Sequence, residues 1–217
     1  METRSEMTET GQTAQRPDAP RIDVARIEAA VLELLKAIGE DPTRSGLEQT
    51  PRRVARAYSE FFAGVGVDAL EHLADGIDLE GNTGELVIVR DIHFRSMCEH
   101  HLLPFIGVAH LAYLPGDRIV GLGNLVRVVE TLSARPQLQE RLTDEIADAL
   151  NDGLEARGVV VVMDASHGCV TARGSQQISS TTVTVASRGE LADSVQRAAV
   201  LGLMAPTAPD FIGGRNG

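Results

Sequence analysis

Positive charge is scarce in this chain. Twenty Lys and Arg stand against 31 Asp and Glu, for a net charge of −11. That balance excludes the basic face on which nucleic-acid binders depend. It leaves room for a small anionic substrate, because a few arginines in a cleft reverse the local field. Any phosphate site must then be built from individual arginines. No apolar run approaches the ~18 residues that a membrane span requires, so no membrane partner is expected. Cysteine is scarcer still, with two residues in 217. The first twenty residues lack an apolar stretch and read as a disordered leader, which makes the cytoplasm the expected location.

What is present is the composition of a soluble globular protein, 43% hydrophobic and 24% charged. Residues 21–39 carry Val24, Ile27, Val31, Leu34, Leu35 and Ile38 at helical spacing, with Gly39 as the stop. Thr50-Pro51 opens a second helix, Thr50 as N-cap and Pro51 at the first helical position, and Gly64 ends it. A turn at residues 82–84 leads to β-branched strands over 86–94 and 106–114. Helices are expected over 123–132 and from Pro136 to about 156, strands over 159–165 and 181–186, and a last helix over 191–204 before a mobile tail. Two strand pairs separated by two helices predict an α+β fold, a four-stranded antiparallel sheet with its helices on one face. Such a sheet has open edges, and joining sheets between subunits into a barrel would close them. The expected divisions are a leader over 1–20, an N-terminal helical region over 21–80, a catalytic core over 81–190 and a C-terminal helix and tail over 191–217.

Half of the cysteine and two of the six histidines fall in Cys98-Glu99-His100-His101. The C-x2-H spacing lets two ligands on one tight turn reach a single zinc ion. Cys169 follows much later, in His167-Gly168-Cys169. If the two segments meet, two cysteines and one histidine leave a fourth coordination position open, the mark of a catalytic site. Spacing alone leaves open which of His100 and His101 is the ligand. Ordinary buried thiols and a Cys98–Cys169 disulfide are the competing readings. If the strand persists to Cys169, His167 and Cys169 share a face. Histidines beside such a metal suit proton transfer near neutral pH, and the set as a whole suits hydrolysis at a carbon flanked by nitrogens.

Longer stretches go beyond spacing. Ser96-Met97-Cys98-Glu99-His100-His101-Leu102-Leu103-Pro104-Phe105, then Arg135-Pro136-Gln137-Leu138-Gln139-Glu140-Arg141-Leu142-Thr143, then Ala165-Ser166-His167-Gly168-Cys169-Val170 with Ala172-Arg173-Gly174, resemble in that order the motifs of GTP cyclohydrolase I. Thr50-Pro51 with Arg53-Val54-Ala55 is similar to its N-terminal helix motif, and the similarity runs over residues 22–189. The resemblance implies the tunnelling fold, a homodecamer of two stacked pentamers with sites at subunit interfaces, and Zn²⁺ held by Cys98, His101 and Cys169. It implies hydrolysis of GTP at guanine C8 to formate and 7,8-dihydroneopterin triphosphate, a step of folate and pterin synthesis. His100 and His167 would handle protons, Glu140 beside Gln139 would read the guanine edge, and Arg127 and Arg173 would hold the triphosphate. One departure stands out: the family's usual Gly-Leu-Ser-Lys is Gly121-Leu122-Gly123-Asn124 in this chain. The lost lysine leaves Arg118 or Arg95 to compensate, weakens GTP binding, or marks a paralogue for fewer phosphates. A non-catalytic purine- or pterin-binding module and a structural zinc protein are the remaining alternatives.

Overall fold

The structure, a computed structural model, describes residues 22–81, 84–174 and 177–204. The leader expected over 1–20, positions 82 and 83 of the expected turn and the tail expected over 205–217 lie outside the described residues.

The chain begins with two helices packed on each other, α1 (Val24–Ala37) and α2 (Thr50–Phe61). Asp23 caps α1 by accepting from the Arg26 N–H at 3.0 Å, and the helix stops at Gly39, whose φ of +88° an L side chain resists. Thr50 is not the cap of α2 but its first helical residue. Gln49 takes the cap position without a side-chain bond, and the Thr50 hydroxyl donates back to the Gly46 carbonyl. A 3-10 turn over Ala69–Leu73 and two short paired strands, β1 (Ile77–Asp78) and β4 (Arg118–Ile119), carry no sequence pattern that announces them.

The four expected strands form an antiparallel ladder: β2 (Val87–Cys98), β3 (Pro104–Leu114), β6 (Gly158–His167) and β7 (Thr182–Gly189). A fifth, β5 (Pro136–Gln137), lies parallel to Met97 and Cys98 and makes the order β5-β2-β3-β6-β7. Pro136 therefore belongs to an edge strand, where a missing N–H is tolerated, rather than to the helix expected there. That helix, α4, spans Gln139–Leu154. With α3 (Leu122–Ser133) it covers one face of the sheet, and Leu142, Ile146, Leu150 and Leu154 at four-residue steps are fully buried against Phe105, Leu111, Val161 and Met163. The last helix, α6 (Ser194–Met204), departs from the expected one-sided arrangement. Its Val200 and Met204 pack with Ala112 and Val160 on the opposite face, because β3 and β6 are apolar on both faces at that end and need cover on both.

β2 contains the irregularity that aims the site. Val87 and Val89 face the helices, and unbroken alternation would then turn Asp91, His93 and Arg95 inward. The register against β3 shifts between Val89 and Ile92, and Asp91 takes φ +59°. This bulge resets the phase, so Ile92, Phe94, Ser96 and Cys98 are buried while His93 and Arg95 are exposed. A β-branched residue is poorly suited to that backbone. Asp91→Val should cost about 1–2 kcal/mol and lower the thermal midpoint, whereas Asp91→Gly should hold or raise it. Equal midpoints for the two variants would mean that the bulge relaxes without cost.

Candidate functional site

The turn joining β2 to β3 is closed by the Cys98 N–H donating to the Leu103 carbonyl at 2.9 Å. The N–H groups of His101 and Leu102 both turn back to the Cys98 carbonyl, and Leu102 sits at φ +50°. That left-handed residue ends the turn and costs about 1 kcal/mol for a side chain with a Cβ. The result sets the His101 Nδ1 4.0 Å from the Cys98 Sγ. His100 projects elsewhere: its ring is exposed, and its centroid lies 6.2 Å from that of His101 at nearly a right angle.

The third member arrives by a different route from the one expected. β6 ends at His167, and Gly168–Thr171 forms one helical turn, α5, so Cys169 is not on a strand with His167. The turn swings Cys169 toward the β2–β3 turn. The ligand atoms of Cys98, His101 and Cys169 all lie within 4.8 Å of one another, and both cysteines are free thiols. A tetrahedral zinc with Zn–S near 2.3 Å and Zn–N near 2.0 Å needs ligand separations of roughly 3.5–3.8 Å, so the cluster fits after a small contraction. The donor set fits as well. Burial and the neighbouring Cys98 push the Cys169 thiol up, with Arg173 pulling the other way. Two adjacent sulfurs resist joint ionisation until a cation stands between them, and zinc is such a cation.

Two further groups hold these segments in place. The Glu99 carboxylate pairs with Arg141 of α4, and the Glu99 N–H donates to the Gln137 carbonyl at 3.1 Å. Arg141 also donates to the Gln137 side chain at 3.0 Å. Gly168 allows a close approach: a Cβ there would lie 2.8 Å from the Pro104 carbonyl oxygen. Neither arrangement follows from local pattern, since Glu99 and Arg141 are 42 residues apart.

His167 is fixed on two sides. Its ring stacks on Phe105 at 4.8 Å with a 4° tilt, and its Nε2 lies 2.6 Å from Gln139 Oε1. Burial lowers its pKa, with Glu140 opposing. Glu140 and Arg173 thus stand in the electrostatic neighbourhood of the sulfurs and the histidine. Gln139 is 1% exposed and points into the fold. Arg127 lies on α3 beside His72, whose pKa it helps burial to lower. Arg118 donates to the carbonyls of Leu73 and Ala74, and Arg95 lies over the Phe61 ring and 3.9 Å from Glu60. Both therefore hold contacts within their own chain, although the buried Arg118 Nε has no partner among the described residues. Gly123 has no atom within 4 Å of where a Cβ would stand.

Residues 27–205 match the family described as GTP cyclohydrolase I. The chain belongs to the GTP cyclohydrolase I family. The match runs beyond residue 189 and takes in α6. Among similar proteins, the GTP cyclohydrolase 1 of Leifsonia xyli subsp. xyli is 60% identical over 182 residues, 84% of this chain and 95% of the relative. That of Rhodopirellula baltica is 53% identical over 184 residues, 84% and 80% of the two chains. That of Halalkalibacterium halodurans is 52% identical over 188 residues, 85% and 98%. All the site residues named above lie inside these family bounds.

Gly168→Ala must displace the Pro104 carbonyl, and Arg141→Met frees the turn at Glu99. Each should weaken zinc binding about 10–100-fold, read by competition with a chelating dye, with the far-ultraviolet circular dichroism unchanged. Unaltered affinity in both variants would show that the three ligands find their positions without this support.

Proposed function

We propose that this chain is a zinc-dependent GTP cyclohydrolase I, converting GTP and water into formate and 7,8-dihydroneopterin triphosphate. The observation that carries the reading is the convergence of Cys98, His101 and Cys169 next to a histidine held at a fixed orientation, in a chain of this family. When bound by those three residues, zinc supplies Lewis acidity that makes water nucleophilic near neutral pH.

The chain's own residues do the rest. Two waters add at C8 of guanine, breaking C8–N9 and then C8–N7, and C8 leaves as formate. His167 and His100 deliver protons to the departing ring nitrogens and recover them from attacking water. Glu140 accepts hydrogen bonds from the N1 and 2-amino edge of guanine, which selects guanine over adenine. Amadori rearrangement of the ribose and ring closure return one water, so the net reaction consumes one. Arg173, beside Cys169, holds phosphate in a planar fork.

Arg127, on α3 beside His72, would reach the triphosphate from a neighbouring subunit. The side of β2 beyond its two-residue pairing with β5, and the outer side of β7, favour such an arrangement. In the tunnelling fold these edges pair between subunits, and a decamer of two pentamers is the assembly that follows. A second reading rests on Asn124 and on the engagement of Arg118 and Arg95: the preferred nucleotide carries fewer phosphates.

Zinc-loaded protein incubated with GTP, GDP, GMP and guanosine tests both. Formate together with a fluorescent pterin after oxidation is expected from GTP. Turnover confined to the less phosphorylated nucleotides would select the second reading, and silence with all four would leave a binding module. His167→Asn should lower kcat by at least about 100-fold while retaining zinc. Asn124→Lys should lower the KM for GTP, and Gly123→Ser should fit without strain. An unchanged KM in Asn124→Lys would remove position 124 from the phosphate site.

A further inference from the structure

The surroundings of His167 dictate where its proton resides, and the dictation begins two side chains away. The Thr143 hydroxyl donates to the Gln139 backbone carbonyl at 2.7 Å. Its hydrogen is thereby committed, so at the 2.6 Å contact between the Thr143 and Thr184 hydroxyls, Thr184 must donate. The Thr184 oxygen is then free to accept from the Gln139 amide nitrogen at 3.2 Å. That same nitrogen lies 2.8 Å from the Thr182 carbonyl and 3.1 Å from the Met163 carbonyl. Backbone carbonyls only accept. The amide can therefore be oriented in one way alone, NH2 toward the sheet and Oε1 toward His167. At 2.6 Å from that oxygen, His167 Nε2 must carry a hydrogen.

We propose that Gln139 is a positioning residue that locks His167 as the Nε2–H tautomer, leaving Nδ1 as the atom that exchanges protons with the substrate. The Phe105 ring, parallel at 4.8 Å, fixes the plane in which Nδ1 points. Gln139 itself is buried and engages every polar atom of its side chain inside the fold. It acts on the reaction through His167 and does not touch the nucleotide. The assignment of Nδ1 as the working atom rests on the cyclohydrolase reading. The tautomer itself does not.

Neutron diffraction from perdeuterated, zinc-loaded protein reads the tautomer directly and needs no variant. Deuterium on His167 Nε2, none on Nδ1, and the two amide deuteriums of Gln139 facing Thr182 and Met163 are expected. Deuterium on Nδ1 with Nε2 bare would overturn the proposal, whether or not the protein turns over GTP. The kinetic arm uses Gln139→Met, similar in volume but unable to accept from the imidazole. It should lower kcat about 10–100-fold, with the KM for GTP within about twofold and zinc stoichiometry unchanged. A raised KM with kcat intact would make Gln139 a nucleotide contact and refute its positioning role, as would an unchanged kcat. Should this variant fail to fold, the neutron map of the parent protein still decides.

Discussion

The candidate site depends on the register of three strands. β3 pairs with β2 and β6 so that Phe105 stands opposite both Ser96 and His167. That alignment brings the end of β2 and the end of β6 to the same border of the sheet. Residues about seventy positions apart in the chain then share one small volume, although neither segment holds enough ligands to bind a metal alone. A slip of one residue in either ladder would turn every side chain of the slipped strand to the other face, taking Cys98 or His167 out of the cluster. Register is costly to change because both ladders are tied to the buried stripe of α4. The aliphatic core thus acts as the positioning device for polar chemistry at its edge.

Around that edge, positive charge is placed sparingly. With a net charge of −11, each cation near the site matters, and most arginines are engaged in structure. Arg141 pins the metal turn through Glu99, Arg135 donates to the carbonyls of Gly64 and Val67, and Arg188 bridges Asp144 and Asp148. Arg173 remains beside the sulfurs, and Arg127 lies on α3 beside His72. A polyanion bound at this site would meet a field built from a few residues. In such a field one added or missing cation would bear more on the binding of an anion than a single surface charge normally does.

The Cys98, His101 and Cys169 group that could hold a metal was legible in the sequence because its members sit in short motifs whose chemistry is carried by residue type. So were the long amphipathic helix and the four β-branched strands, which follow simple periods. The illegible parts arise where tertiary contact overrides period. The bulge at Asp91 breaks the alternation of β2, and its cause, the match of Ile92 and Phe94 to the β3 register, is visible only with both strands in hand. The helical turn at Gly168 reads as continuing strand because nothing local marks the close approach of Pro104. Thr50 reads as a cap, but the preceding loop already accepts its hydroxyl. Gln139 beside Glu140 reads as part of a nucleotide contact, whereas the carbonyls that orient its amide belong to β6 and β7.

That last contact links the assembly to the chemistry. Thr182 and Thr184, which hold the Gln139 amide, are on β7, and among the described residues β7 is an edge strand with no strand on its outer side. Edge strands fray more readily than central ones because half of their backbone groups lack fixed partners. In the proposed barrel, that outer side pairs with a neighbour. The pairing would then restrain the carbonyl and hydroxyl that orient Gln139, and through it the His167 imidazole. Assembly would contribute twice to the active site, once by bringing Arg127 from another subunit and once by stiffening the strand on which the tautomer of His167 depends. A chain that folded but did not assemble could retain its three metal ligands, which reside on β2, the turn after it and α5, yet lose control of the proton.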